Sequence, residues 1–236
     1  MRRLTEAWFE FAGVRCDEIG IRLQSMPKRP VPAKQGQKIE IDGQNGFLWQ
    51  GIQNAYRPIR IEAECATTDI YSGDVLAGWL AESGLLRFSD EPDRAYDARV
   101  VSEFLRDSMH FGFDQEKFII PFECQPLKYV YPAALPLILT EPGIVNNYGT
   151  AFSAPKITIE GTGNIQLLIG GKMIDVTGGG VIIDSDLEDC FEPDGLALAN
   201  NRVTLEEFPR LPPGKTAISW TGDVNRVIVD GRWRFL

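Results

Sequence analysis

The chain has a single histidine among its 236 residues, His110, and no pair of cysteines in a CxxC arrangement. A single histidine argues against a multi-histidine metal centre. It also argues against a serine–histidine–aspartate triad, because SMHFGF around His110 contains no nucleophile-elbow serine or cysteine. A lone histidine beside aromatic residues is typical of a packed or surface side chain. Without a Cys/His spacing, the sequence predicts no zinc site.

The chain also lacks a long apolar run and an excess of positive charge. No stretch reaches the roughly 18 apolar residues of a membrane-spanning helix, and MRRLTEAWFEF is no cleavable leader. We therefore expect a globular protein with no membrane partner. The 24 basic residues stand against 33 acidic ones, a formal charge of -9. This balance disfavours direct nucleic-acid binding, since a phosphate-binding surface needs an excess of lysine and arginine.

The four cysteines are scattered, too few for a disulfide scaffold in a chain of this length. Cys65 ends the alternating run IRIEAEC, and Cys124 ends FIIPFEC, so both fall on the apolar face of a strand. We interpret these two as buried, reduced thiols. Cys16 and Cys190 carry no further signal.

The order of segments predicts a mostly β protein with two domains, residues 1–130 and 131–236. FEFAGVRCDEIGIRL indicates strand, turn and strand, and the prolines of MPKRPVPAKQ indicate an edge or an extended arm. DGQNG, within QKIEIDGQNGFLWQG, predicts a hairpin turn, and RPIRIEAEC alternates as a strand. A proline-rich stretch, residues 126–155, places the boundary near Val130.

YSGDVLAGWLAESG is the one segment with helical periodicity. Ser72 or Asp74 can cap its start, and Gly84 supplies its stop. Its apolar stripe is expected to cover a sheet, and it consists of Val75, Leu76, Trp79 and Leu80. Beyond residue 131, short strands separated by glycine turns predict an antiparallel sandwich without helices.

The segment FSDEPDRAYDARV is the strongest candidate for chemistry, because Asp90, Glu91, Asp93 and Asp97 fall within it. The bland interpretation is a turn between strands ending at Phe88 and starting at Tyr96, with solvated carboxylates. A calcium loop and general acid/base catalysis are the alternatives. The EF-hand glycine and terminal glutamate are missing, and nothing in the spacing sets two carboxylates across a glycosidase cleft. We predict a structural turn.

The glycine clusters of IGGKM and DVTGGGVI match neither GxxxxGK[ST] nor GxGxxG, so hairpin turns are the economical explanation. Trp220 and Trp233 are the aromatic residues that could stack on a sugar if exposed. Each shares a strand face with another apolar residue, Ile218 and Phe235 respectively, which favours core filling. A carbohydrate platform stays the alternative.

The order of segments resembles the distal tail protein (Dit) family of long-tailed bacteriophages over nearly the whole chain. The similarity is carried by FAGVRCDEIGI, WLAESG, LLRFSDEPDRAYDARV and FIIPFECQPLKYV, then by PKITIEGTGNI, VIIDSD, FPRLPPGKTAISWTG and GRWRFL. FSDEPDRAY, FPRLPPG and RWRFL are its most specific parts. The second half is short and shows no inserted sugar-binding module, unlike family members that bind receptors directly.

The resemblance implies a structural virion protein of the tail tip, assembled in the host cytoplasm, with no catalytic residues and no cofactor. N-terminal β-sandwich or barrel-like domains, each with one covering helix, would form a ring, usually a hexamer, with galectin-like C-terminal sandwiches around it. Partners would be further copies, the tail tube, tail-tip proteins and receptor-binding proteins. The alternative function is carbohydrate binding at a bacterial surface through the C-terminal sandwich; a glycoside hydrolase ranks third.

Two hypotheses follow from the expected ring. A closed ring needs a head-to-tail interface, and MPKRPVPAKQ or the adjacent hairpin is a candidate to contact the next subunit. Deleting residues 27–38 is then expected to abolish rings and leave a β-type circular dichroism spectrum. The acidic excess further suggests a lumen wall that repels DNA during ejection, which a strongly basic wall would contradict.

Overall fold

A computed structural model describes residues 7–67, 72–103, 106–107 and 116–236, and its contacts divide it into two compact units, Met1–Tyr131 and Pro132–Phe235. The described structure is mostly β, as predicted, with one α-helix among these residues. That helix is too short to span a bilayer, and no other described segment is a candidate membrane helix. His110 lies outside the described residues.

The first unit contains ten described strands and the helix. They are β1 (Phe9–Phe11), β2 (Val14–Arg15), β3 (Ile21–Leu23), β4 (Lys34–Ile39), β5 (Leu48–Tyr56), β6 (Ile59–Thr67), α1 (Ser72–Leu80), β7 (Ser83–Phe88), β8 (Glu91–Val100), β9 (Arg106–Asp107) and β10 (Glu116–Val130). Strands run antiparallel in the order β2-β1-β7-β8-β10-β6-β3, with β9 beside β10. This sheet curls into a half-barrel.

The core of the first unit lies on one face of the curled sheet. Along β6 and β10 alternate side chains are buried, and register pairs Ile61 with Phe122 and Cys65 with Phe118. This period-two burial is what the sequence alternation predicts for a sheet with one covered face. Phe9 and Phe11 of β1 complete the aromatic centre, each fully buried.

Helix α1 covers this core as predicted, although two details of the prediction are wrong. Leu76 and Leu80 are buried, and the indole of Trp79 donates a hydrogen bond to the carbonyl of Phe11 at 2.9 Å. Val75, however, is 59% exposed. The helix ends at Leu80, and Gly84 lies inside β7, where an added Cβ would come within 2.9 Å of the Cα of Ala12. Close strand packing, and not a helix stop, explains this glycine.

The second unit is built from nine strands. They are β11 (Leu137–Leu139), β12 (Gly143–Asn147), β13 (Lys156–Ile169), β14 (Lys172–Val176), β15 (Val181–Asp184), β16 (Asp189–Phe191), β17 (Val203–Leu205), β18 (Gly214–Asp230) and β19 (Arg234–Phe235). Only a 3-10 turn, Asn200–Arg202, interrupts the β structure of this unit.

Two long strands organise the second unit. The first half of β13 pairs with β15 and its second half with β14, while the halves of β18 pair with β12 and β11. The register between β13 and β18 breaks after Glu160 and again after Thr162. On one side of these breaks the pair is flanked by β15 and β11, and on the other side by β14 and β12. Bent strands shared by two groups are how sandwich corners form, which agrees with the predicted antiparallel sandwich. Its likeness to galectins stays a prediction.

The segment between the units has no strand from Tyr131 to Pro136, and Leu135 in it is 94% exposed. That the two units are separately folding domains, divided near Val130, is a proposal. We expect brief elastase treatment to cut first after Ala133 or Ala134, because an exposed chain without sheet hydrogen bonds fits a protease cleft. Mass spectrometry of the fragments measures this. Replacing both alanines by proline should remove the cut, and first cuts within the strands would contradict the proposal.

Candidate functional site

The hairpin of β4 and β5 forms a two-stranded sheet of its own beside the curled sheet. Register pairs Gly36 with Gly51, Lys38 with Trp49, and Ile39 with Leu48. The predicted DGQNG turn lies in the loop between the strands, so the predicted hairpin is confirmed. Two strands alone have no second layer to bury side chains against, and such ribbons are marginally stable in water.

Large apolar side chains are exposed near the loop end of the hairpin. The exposed fractions are 37% for Ile39, 39% for Ile41, 57% for Phe47, 58% for Leu48 and 52% for Trp49. Phe47, Leu48 and Trp49 are consecutive, and neighbouring strand residues point to opposite faces. Both faces of the ribbon therefore present apolar surface, which makes the hairpin a candidate interaction surface.

The indole of Trp49 occupies space that is left open because Gly36 and Gly51 have no side chains. A Cβ at Gly36 would lie 2.6 Å from the indole, and one at Gly51 would lie 3.3 Å from its nitrogen. Lys38 Nζ sits 5.0 Å from the ring centre of Phe47, on the same ribbon. An aromatic side chain held in place while half exposed loses little entropy on binding, as at interface hot spots.

The proline-rich arm, residues 24–33, connects β3 to the hairpin and packs on its own unit. Met26 packs against the core, and Pro27 and Pro32 are buried. The backbone amide of Gln24 donates to the carbonyl of Glu64 at 2.8 Å, and at the other end the amide of Arg57 donates to the carbonyl of Ala33 at 2.9 Å. Of the two segments predicted to reach a neighbour, the hairpin is thus the one that stays uncovered.

Arg29, at the middle of the arm, binds the acidic turn that the sequence had singled out. Its guanidinium donates to both carboxylate oxygens of Asp90, with Nη1 to Oδ1 at 2.9 Å, and lies 3.8 Å from Glu91 Oε2. Its carbon Cζ is 5.3 Å from the ring centre of Phe88. FSDEPDR and MPKRPVP, 61 residues apart, therefore meet in one ion cluster.

The acidic segment forms a turn between strands, as predicted, and its partly exposed carboxylates are also paired with basic side chains. Lys128 Nζ donates to Glu91 at 2.9 Å, and Arg94 binds Asp93 at 2.6 Å. Asp97 lies farther along β8, opposite Leu85. Among the described residues no group of three His, Cys, Asp or Glu side chains could hold a metal ion.

The turn is also shorter than predicted. Strand β7 ends at Phe88 as expected, but β8 begins at Glu91 and not at Tyr96, so Ser89 and Asp90 alone form the connection. Pro92 lies where the β7–β8 register shifts, between the pairs Phe88–Glu91 and Leu86–Tyr96. Proline lacks an amide donor, and this irregularity accommodates it inside a strand.

A cleft of about 700 Å³ lies on the outer face of β6 and β10. Three glutamates line it, Glu62, Glu64 and Glu103. Glu62 pairs with Arg60 at 3.0 Å, and Glu64 accepts from the Ser25 hydroxyl at 3.2 Å. The glycoside hydrolase, which would need two carboxyl groups across a scissile bond, stays the third-ranked prediction.

The motifs of the second half hold strands together. In VIIDSD and GRWRFL, Asp184 accepts two hydrogen bonds from Arg232, at 2.7 and 2.8 Å, and two more from backbone amides. Arg234 binds Asp186. In FPRLPPG, the buried side chain of Asn147 donates to the carbonyl of Leu211 at 2.9 Å. Asp184, Arg232, Arg234 and Asn147 therefore have structural partners within the second unit.

Asp184 is expected to make this unit sensitive to acid. Burial acts to raise its pKa, but the hydrogen bonds from Arg232 and the backbone amides outweigh burial and hold the pKa below the usual value, about 3.9. Stability from a depressed carboxyl pKa is present above about pH 4 and is lost as pH falls through the lower folded value. Asp184→Asn should cost about 1.5–3 kcal/mol at pH 7, and its deficit should shrink below pH 4. Urea unfolding at both pH values measures this, and Asp223→Asn, at an exposed site, is the control.

The glycine clusters are turns, as predicted. Gly170 and Gly171 connect β13 to β14, and the carbonyls of Gly179 and Gly180 accept from Arg202 at 3.1 and 3.2 Å. A phosphate site would need amide donors directed at the ligand. Here the carbonyls face a guanidinium, so the loop is filled by the protein's own cation.

The two tryptophans considered as sugar platforms do not form an exposed pair. Trp233 is 7% exposed and contacts Tyr148 with ring centres 5.5 Å apart, as predicted for core filling. Trp220 pairs with the buried Leu167 across β13 and β18 and is half-buried. Tyr148 is 52% exposed, but it leans on Trp233 and Phe235.

The described cysteines are free and buried, as predicted for Cys65 and Cys124. Burial raises the pKa of Cys124 to about 12 and of Cys190 to about 11, and it raises that of Cys65 further still. A thiol reacts as its thiolate, so at neutral pH these groups are inert.

No protein-family model matches the chain, and no curated protein matches it. Among solved structures, the crystal structure of SPP1 Dit, a hub protein of the adsorption apparatus of phages that infect Gram-positive bacteria, shares 19% sequence identity. The match covers 98% of this chain and 99% of that one, with a TM-score of 0.75. This likeness shows that the two chains share a fold. A chain of the phage P2 baseplate, 8% identical over 94% of this chain and 97% of its own, has a TM-score of 0.47 and carries no argument.

Proposed function

We propose that this chain is a structural virion protein similar to the distal tail proteins of long-tailed phages. The observation that carries the proposal is the fold shared with SPP1 Dit over nearly the full length of both chains. The specific motifs support it, because FSDEPDR, VIIDSD and FPRLPPG each fix the packing of strands. In this function the protein works through surfaces at the tail tip and catalyses no reaction.

We further propose that copies assemble head to tail into a closed ring, a hexamer, that joins the tail tube to tail-tip and receptor-binding proteins. The exposed hairpin supports this step. Its exposed apolar residues belong to one chain segment outside the curled sheet, and in a head-to-tail ring a different surface of the next copy would cover them in a heterologous interface. DNA would pass through the lumen without sequence-specific contact, in keeping with the net charge of -9.

Size-exclusion chromatography with light scattering, followed by negative-stain imaging of the full-length protein, tests the proposal. We expect a single multimeric mass and ring-shaped particles with an open centre. A monomer at every concentration and ionic strength, with no rings, would contradict self-assembly. In a reconstruction of the ring, a strongly basic pore wall would refute the proposed repulsion of DNA.

A further inference from the structure

The hairpin is joined to its own unit at both ends, because the proline-rich arm leads into β4 and only Arg57 and Pro58 separate β5 from β6. Three prolines, Pro27, Pro30 and Pro32, fix the backbone φ of the arm and keep it extended. An extended, stiff arm constrains the orientation of the hairpin that follows it, because few of its backbone dihedral angles are free to change. The way in which the arm is held is therefore one of two constraints on where the hairpin points, the other being the short link from β5 to β6.

Side-chain contact in the middle of the arm comes from the Arg29 cluster, defined as Arg29, Asp90, Glu91 and Lys128. The guanidinium is bidentate to Asp90, and Glu91 is held in turn by Lys128 of β10 at 2.9 Å. Side chains of the two cations are 21% and 17% exposed, and those of the two carboxylates 39% and 34%. The cluster thus connects the arm to the β7–β8 turn and, through it, to the central strand of the sheet.

We propose that Arg29 is a positioning residue: it fixes the direction in which the hairpin leaves its subunit, and this direction decides whether copies close into a ring. The inference rests on the proposed self-assembly through the hairpin. In a head-to-tail interface the rotation between neighbours either closes a ring or produces an open chain. A bidentate arginine fork beside the Phe88 ring restricts the movement of the arm more than a single point charge could. A more rigid arm in turn narrows the range of rotations between neighbours.

The effect of ionic strength distinguishes the contribution of the Arg29 cluster from that of the apolar hairpin contact. The cluster's carboxylates are about one-third exposed, so salt screens them, with a Debye length of about 10 Å at 0.1 M and about 3 Å at 1 M. Contact between apolar side chains carries no such dependence. Raising the NaCl concentration should therefore loosen the arm while leaving the hairpin's affinity for its neighbour intact.

The test compares full-length wild type, Arg29→Ala, Arg29→Lys and the control Arg94→Ala, whose ion pair with Asp93 lies near the start of β8. Hydrogen exchange of residues 24–39 should be about tenfold faster in Arg29→Ala, with exchange in β6 and β10 unchanged. Light scattering and imaging should show open arcs or mixed masses. Arg29→Lys should be intermediate, since it keeps the charge and loses the fork, and Arg94→Ala should match wild type. Wild type in 1 M NaCl should resemble Arg29→Ala.

Each result decides the proposal. Closed rings from Arg29→Ala, with wild-type exchange across the arm, would overturn the role of Arg29 and leave the proposed ring standing. A wild-type chain that stays monomeric overturns both. Faster exchange throughout β6 and β10 would mean that Arg29 serves general stability, which also overturns the positioning role.

Discussion

Replacing Ile39 and Leu48 together by serine will leave the protein folded and reduce its assembled mass to that of a monomer. The two side chains face each other across the hairpin, 37% and 58% exposed, and neither belongs to the core of the first unit. Fully burying an exposed leucine or isoleucine side chain contributes about 1.5–3 kcal/mol, and these two are already partly buried, so losing both should weaken each contact by about tenfold to a hundredfold.

Light scattering over a range of protein concentrations measures the loss, and circular dichroism and the thermal midpoint report the fold. Leu196→Ser is the matched control, because Leu196 is 88% exposed and belongs to the second unit. Multimers of unchanged mass from the double variant would show that another surface makes the contact. A double variant that unfolds would show that the hairpin contributes to the core after all.

Phe122→Ala will destabilise the first unit by about 3–5 kcal/mol, the largest effect expected from a single core substitution. Phe122 has no exposed surface, and its ring centre lies 5.1 Å from that of Phe11 and 5.7 Å from that of Phe9. It pairs with Ile61 on β6 and Val100 on β8, at the centre of the sheet. The cavity left by the ring has three strands around it, and the sheet ladder prevents them from collapsing inwards.

Urea unfolding measures the change, and native-state hydrogen exchange of β6 and β10 assigns it to the first unit. Phe47→Ala provides the comparison within the same residue type: its ring is 57% exposed on the hairpin, so the expected cost is within about 0.5 kcal/mol. A loss below about 1 kcal/mol for Phe122→Ala would mean that the aromatic centre repacks.

Local pattern was enough to predict much of the fold. The alternation in β6 and β10, the glycine-rich hairpin turn and the helical spacing of Leu76 and Leu80 each depend on residues within one turn or strand. Val75 broke the pattern because the apolar face of a short helix is narrower than the stripe of apolar residues in the sequence. The predicted start of β8 was wrong because of Pro92. A proline usually ends a strand, but here it lies inside one, at a register shift.

The contacts that define the candidate site could not be predicted in this way. Arg29 and Asp90 are 61 positions apart and belong to no periodic pattern, so only the folded chain brings them together. The apolar hairpin was different, because a signal was present: Phe47, Leu48 and Trp49 in succession require that both strand faces be apolar. Only one apolar face of a ribbon can pack against the core of its own domain. A second apolar face is therefore a sequence signal for contact with another molecule.

The glycine pair under Trp49 has a consequence for how the assembled particle forms. Position 36 cannot accept the branched side chains that favour strands, because a Cβ there would lie 2.6 Å from the indole and 2.8 Å from the carbonyl oxygen of Gln50. The indole is thereby oriented before a neighbour arrives, so in the proposed ring little order remains to be gained when the ribbon docks. The vacant end of an open fragment would then present the same prearranged contact surface that every closed pair of neighbours already uses.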